Sequence, residues 1–428
     1  MKKVLMVFLV LLVAGGAFAQ MPDGLKLGVE VGTGLLVTTP DGDYAGKTTT
    51  AEAKTYDKGG SAYHIRLNLD YTKENFGFRT RFQARSTSGP FTNQNVRVEN
   101  YEAWFTALDG KLKIGAGNRD WDHHIRTPGH LGDANFSFGY GPHYDSGNGN
   151  ILNVSYKLFD GLTVWTNSGG GNNPDLVYIF GNTAFGAVYS KNGITGNVSF
   201  KETVTAGTDP SLDTYSGALK FGFAYAADAF TVALDGKVND LGLEAAVSDS
   251  KGNKISPVDT QIWLTGKYDL NKLSVFMSFG LGIFGSTDEK VGSTTPGEKT
   301  TSLPVVIIPG VKYTLNDTMA LELATRFAIR NYEKEPVYGT PNTTNLTNSH
   351  LDDNLLIGGK SVLGRAWGDS TGSATTNKLG EKANFSVGLL PSFSWQLGST
   401  AKIVLYDEIL IAGTYFTNGL GVFFDWTY

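Results

Sequence analysis

Apolar and polar residues alternate through most of this chain. Leu25, Leu27, Val29 and Val31 alternate with Lys26, Gly28, Glu30 and Gly32. Tyr63, Ile65, Leu67, Leu69 and Tyr71 alternate with His64, Arg66, Asn68 and Asp70. After a break at Lys73-Glu74-Asn75, Phe76, Phe78, Thr80, Phe82 and Ala84 alternate with Gly77, Arg79, Arg81, Gln83 and Arg85. A period of two means a strand with one greasy face. The pattern recurs down to the last nine residues, where Leu420, Val422, Phe424, Trp426 and Tyr428 share one side.

Tight turns separate the strands in pairs. Asp109-Gly110, Asp160-Gly161, Asn192-Gly193, Ala227-Asp228, Asn271-Lys272, Asn316-Asp317 and Gly398-Ser399 each sit between two alternating runs. Asp-Gly and Asn-Gly pairs suit hairpins because both central residues take positive φ. Longer polar stretches fill every second connection, at about 38–60, 86–96, 119–149, 202–214, 285–302 and 331–383. Short turns at one end and long loops at the other predict an all-β fold. That fold is a transmembrane antiparallel up-and-down β-barrel of about 16–18 strands, with short periplasmic turns and long extracellular loops. A soluble β-sandwich or propeller instead predicts turns of similar length at both ends, and no fixed repeat of propeller type occurs. The stretch 229–258 fits one long bulged strand or two short ones. Pro309 and Pro391 fall inside predicted strands, where bulges are expected.

The first residues explain how such a chain reaches a membrane. Met1-Lys2-Lys3, an apolar run from Val4 to Val13 and the small-residue site Ala17-Phe18-Ala19 form a secretory signal peptide. Its run is shorter than the ~20 apolar residues of a spanning helix. The expected division is a signal over 1–19 and one barrel domain over 20–428. The 428 residues include no Cys, which excludes disulfides, thiol catalysis and Cys-based metal sites. A net charge of −5, about −7 once Lys2 and Lys3 leave, argues against nucleic acid as a partner. The 54 Gly and 12% aromatic residues suit short strands and tight turns rather than disorder.

The signal site, the hairpin ladder and the closing strand together resemble the outer-membrane porins of Gram-negative-type bacteria. The likeness is architectural and covers the whole mature chain. The stretch Leu420, Val422, Phe424, Trp426 and Tyr428 looks like the C-terminal signal read by the barrel assembly machinery, although most such signals end in Phe. No Pro-Glu-Phe-Gly-Gly stretch of the enterobacterial third loop is present. The resemblance implies residence in the bacterial outer membrane, with lipid and the assembly machinery as partners. It implies passive diffusion of small hydrophilic solutes and ions; porins of this size are often homotrimers, but no patch in the sequence identifies an interface.

The resemblance also places a constriction. The third long loop, Arg119 to Gly149, carries Arg119, Asp120, Asp122, His123, His124, Arg126, His130 and Asp133, with Phe136, Phe138 and Tyr140 as anchors. Inward positions of the early strands supply His64, Arg66, Arg79, Arg81, Arg85, Lys111 and Lys113. Acidic groups facing a basic wall would set a transverse field across a narrow pore. The plainer alternative is that any lumen is polar.

Other chemistries fit less well. His123 and His124 beside Asp120 and Asp122 have ligand types that suit Zn, but adjacent side chains of an extended segment point apart. No nucleophile–base spacing is present, so neither an enzyme nor a cofactor is expected. Trp104, Trp121, Trp165, Trp263 and Trp367 could stack on sugars, but membrane-interface girdles are the expected role for most of them. The stretch Asn331 to Asn384 is rich in Thr, Asn and Gly and reads as surface loop. It leaves a second function open, a structural or adhesin-like surface barrel with a loop-occluded lumen. Removing Trp426 to Tyr428 is expected to block assembly rather than change the pore. A truncated chain that still inserted normally would show that the terminus carries no assembly signal.

Overall fold

The structure is a computed structural model. It describes residues 23–41, 52–56, 63–86, 94–118, 150–169, 183–205, 214–241, 247–248, 253–255, 258–287, 289–290, 299–303, 305–329, 385–412 and 415–427. Among these residues there are strands and turns and no helix.

Eighteen strands form one closed wall. They are β1 (Leu25–Asp41), β2 (Tyr63–Lys73), β3 (Phe76–Ser86), β4 (Gln94–Ala107), β5 (Leu112–Gly117), β6 (Asn150–Phe159), β7 (Leu162–Gly169), β8 (Thr183–Lys191) and β9 (Ile194–Thr205). The second half is β10 (Thr214–Ala226), β11 (Phe230–Leu241), β12 (Val258–Leu270), β13 (Leu273–Thr287), β14 (Val305–Asn316), β15 (Met319–Ile329), β16 (Phe385–Leu397), β17 (Ala401–Ala412) and β18 (Tyr415–Thr427). Each strand pairs antiparallel with its sequence neighbours. β18 then pairs with β1 from Glu30↔Thr427 to Asp41↔Phe416, which removes both sheet edges.

The turns read from the sequence are present. At Asn192-Gly193 both residues have positive φ, 54° and 77°, as a two-residue hairpin of type I′ requires. Two lysines flank the turn at Asp160: Lys191 and Lys157 lie 3.0 and 3.6 Å from its carboxylate. The hydrogen bond from Lys191, and then the charges of both lysines, hold that carboxyl below its ordinary range.

Three expectations change. The 229–258 stretch holds one wall strand, β11, followed by Val247–Ser248 and Asn253–Ile255, which pair with each other, the latter also with Glu289–Lys290. Two stretches read as loops carry strand: Glu52–Tyr56 pairs with the far end of β1, and Lys299–Ser302 with the far end of β13. Third, no bulge accommodates the prolines. Against β15 the ladder of β14 skips from Ile307↔Phe327 to Gly310↔Ala324, and against β17 that of β16 skips from Leu389↔Ile409 to Ser392↔Tyr406. The register is the same on both sides of each gap. Each proline pairs normally with its other neighbour, at Met277↔Pro309 and Leu323↔Pro391. A missing N–H removes rungs on one side only, and the strand passes straight through.

The two faces of the wall differ as the alternation predicts. Phe76, Phe78, Leu152, Phe185, Phe223, Leu264, Met277, Leu321, Leu405 and Leu420 are exposed and point outward. On β18, the outward row Leu420, Val422, Phe424 and Trp426 matches Asp407, Leu405, Ile403 and Ala401 on β17; Tyr428 lies outside the described residues. Asp407, level with the Pro391 gap, is the polar exception in that row. An apolar outer surface on a closed barrel is the surface of a protein set in lipid.

Glycine and aromatic residues interlock across the inner face. Directly opposed pairs are Gly77↔Trp104, Trp165↔Gly186, Trp263↔Gly280, Phe276↔Gly310 and Tyr406↔Gly421. In each pair the ring lies over the bare glycine, within the space a Cβ there would take. The ring fills the gap in the pleat, and the glycine admits a large side chain without strain. Trp104, Trp165 and Trp263 therefore face the lumen, not a lipid girdle, because they share parity with Glu102, Asn167 and Thr265. A Cβ at Gly280 would lie 2.7 Å from the Trp263 ring, whereas Gly266 has nothing within 4 Å. Gly280→Val is expected to cost about 1–3 kcal/mol, read as a lower urea midpoint, with Gly266→Val as the tolerated control. Equal midpoints would refute the interlock.

Candidate pore lining

The first five strands place charged groups on the inner face. Arg66 on β2 reaches both ways: its Nη1 donates to Glu30 on β1 at 3.2 Å and its Nη2 to Glu99 on β4 at 3.3 Å. Its Nε stands 3.2 Å from the second Glu99 oxygen without hydrogen-bond alignment. Arg81 on β3 lies 3.9 Å from Glu99 and donates to Asn68 at 2.7 Å. Lower down, Arg79 Nε donates to both Asp70 oxygens at 2.8 and 3.0 Å. Lys113 donates to Glu102 at 2.9 Å.

A bulge builds the centre of this network. Between β3 and β4 the register passes from Arg81↔Asn100 to Phe82↔Val98, leaving Glu99 as the extra residue. Without it, Glu99 would take the outward parity of Phe105. The extra residue breaks the alternation and aims its carboxylate inward, between two guanidiniums. Trp104 completes the arc. Its ring lies 4.6 Å from Lys113 Nζ and 5.6 Å from Arg79 Cζ, so two cations sit over one aromatic face.

The wall is therefore not the one-sign basic surface that the sequence predicts. Arg66, Arg79, Arg81 and Lys113 each have a wall carboxylate, from Glu30, Asp70, Glu99 and Glu102. Lys111 falls in the turn between β4 and β5, where its N–H donates to Leu108 O at 3.1 Å, and is exposed. His64 and Arg85 occupy opposed positions on β2 and β3, on the inner parity. Arg119, Asp120, Asp122, His123, His124 and Arg126 lie outside the described residues, as do Trp121, Trp367 and the rest of the 119–149 loop. Among the described residues no three His, Cys, Asp or Glu gather as a metal site would require.

The far side of the lumen is different. β12 to β17 turn Trp263, Phe276, Val306, Ile308, Leu390 and Tyr406 inward, all buried. Buried Arg326, Thr265 and Ser278 lie among them on the same strands.

No family model and no curated protein matches the chain. Solved structures do. The chain is similar to outer-membrane expressed OmpT of Vibrio cholerae at 8% identity, covering 96% of this chain and 99% of that one, with a TM-score of 0.47. It is similar to Salmonella typhi OmpF, solved in complex with daunomycin, at 10% identity over 96% and 99%, TM-score 0.46. A mutant Rh. blastica porin gives 12% identity over 94% and 100%, TM-score 0.44. At these identities the likeness is one of architecture, and the fold itself stands on the strand register and its closure.

Glu102 is fully buried and its Oε1 holds Lys113. Glu102→Ala is expected to cost about 1–3 kcal/mol by taking the carboxylate from the part-buried Lys113 ammonium. Pairing it with Lys113→Met should recover most of that loss. Additive losses in the two single and the double variants, measured by urea unfolding in micelles, would show that the pair is not coupled.

Proposed function

We propose that this barrel is an outer-membrane diffusion channel that passes small hydrophilic solutes and ions. The observation that carries the reading is the pairing of opposite surfaces on one closed wall. The outside is apolar, and the inside bears charged side chains where Arg66, Arg81 and Glu99 meet. Charges are costly on a lipid-embedded barrel unless they face water or one another. A water-filled lumen supplies that setting and lets the same charges bias ion passage. In this reading the chain is not an enzyme. The segment from Arg119 to Arg126 supplies a constriction, the C-terminal strand engages the assembly machinery, and 1–19 is removed on export.

One observation favours a second reading, a surface barrel with an occluded lumen. Several inward side chains are shut from solvent, among them Glu102 at 0%, Ile308 at 1% and Asn167 at 4% exposure. Planar-bilayer recording separates the two. The channel gives stepwise conductance, and changing Arg79, Arg81 and Arg85 to Glu shifts the reversal potential toward cations. Folded protein with no conductance would sink the channel and leave the occluded barrel, for which deletion of 331–383 abolishes partner binding.

A further inference from the structure

One hairpin of the wall is cut off from its neighbours part-way up. β15 and β16 pair with each other without a break, from Met319↔Trp395 to Ile329↔Phe385. Both of their outer seams are interrupted. The seam to β14 lacks rungs at Pro309, and the seam to β17 lacks them at Pro391. The two gaps lie at nearly one height. Thr325, which the unchanged register sets opposite Pro309, pairs with Leu389, the outward residue next to Pro391. That step is about 7 Å along the strand. The interruptions of the β3–β4, β6–β7 and β10–β11 seams are of another kind, because there the register shifts.

On the long-loop side of the gaps, little holds the hairpin to the wall. Val305 to Ile307 pair with Phe327 to Ile329, and Ser386 to Leu389 with Ile409 to Ala412. On the other side the ladders run on from Gly310 and from Ser392 to the short turns. A short ladder opens as a unit, since few hydrogen bonds must break together. An opened rung is costly where hydrocarbon surrounds it, so opening falls where the fewest rungs break. The outward face marks the same line. By register, Thr325 stands opposite Pro309 and Asp407 opposite Pro391. Each is the one polar residue in its outward row, from Met319 to Ile329 on β15 and from Ala401 to Ile411 on β17. Proline offers neither residue an amide N–H, and a polar side chain there lets a hydroxyl or water meet the backbone at the gap.

We infer that the long-loop half of this hairpin, Thr325 to Ile329 with Phe385 to Leu390, is a flap in the wall that opens about a hinge set by Pro309 and Pro391. The unbroken β15–β16 ladder moves as one body while the rest of the barrel stays paired. The flap carries Arg326, 4% exposed and opposed to Gly388 on the inner face. Opening therefore moves a buried guanidinium together with the wall. In a conducting barrel this makes the flap a gate. The inference goes beyond the channel reading and rests on it for that consequence alone.

The test uses the full chain folded in micelles and reads peptide-resolved amide hydrogen exchange. Phe327 to Ile329 and Ser386 to Leu389 are expected to exchange about tenfold faster than Thr260 to Ile262. Those β12 residues lie at the same end of the wall, with unbroken ladders to β11 and β13. The Pro309→Val, Pro391→Val double variant restores both N–H groups and is expected to bring the flap to the rate of β12. Pro391→Val alone slows it about threefold. The chain has no Cys of its own, so Ile307→Cys with Phe327→Cys, directly opposed, gives one cross-link over a seam, which also slows the flap. Equal rates for the flap and β12 in the wild-type chain overturn the flap, as does exchange that neither the valines nor the cross-link slow. Exchange is read without current. Fast flap exchange in a chain that does not conduct removes the channel alone, and conductance with equal exchange rates removes the flap alone.

Discussion

A backbone crossing hydrocarbon must find all its hydrogen-bond partners within its own chain, and everything else here follows from how the wall meets that demand. An unmet amide in lipid costs several kcal/mol. Eighteen antiparallel strands closed by β18 on β1 meet the demand with no edge left over. The closure also explains the tolerance for Pro309 and Pro391. Each proline loses rungs toward one neighbour and keeps them toward the other, so the wall thins locally without shifting register. The inner glycines belong to the same economy of space. They let Trp165, Trp263, Phe276 and Tyr406 lie flat against the wall, where a side chain on the opposing strand would push the ring away.

The interior is organised by charge pairing on the first arc, while the later strands turn in buried apolar side chains together with Arg326, Thr265 and Ser278. Glu99 is the pivot of the first arc. A single added residue in β4 turns its carboxylate from the lipid side to the lumen side and makes Arg66 and Arg81 affordable there. Lys220 on β10 and Lys237 on β11 take their inward positions from strand parity alone, with no bulge between the two strands at that level.

Much of the fold was legible because alternation and turn chemistry are local. Asn192-Gly193 marks a hairpin whatever surrounds it, and Leu420 to Trp426 mark a lipid-facing strand by parity alone. What was not legible depends on register across strands. Glu30, Asp70, Glu99 and Glu102 looked like ordinary inward or outward polar residues until pairing brought them to Arg66, Arg79, Arg81 and Lys113. Glu99 could not have been placed by parity, since the bulge inverts it. Residue type alone suits most of the tryptophans to a girdle and does not single out Trp165 and Trp263. Their parity with Asn167 and Thr265 was the available signal for the lumen, and the facing glycines Gly186 and Gly280 would have supported it.

The seam between β1 and β18 also sets the order in which the barrel can form. Every other wall contact joins strands that are neighbours along the chain, so hairpins can appear as soon as their residues are together. The seam joins Glu30 to Thr427, almost the full length of the polypeptide. Closing so long a loop carries the largest entropic cost of any pairing in the molecule, and long-range pairing is slow. Until it closes, an open sheet exposes the amides of both β1 and β18. The unfinished barrel is thus a template with two sticky edges, and the time spent in that state, more than the strength of any one hairpin, decides how much chain is lost to aggregation.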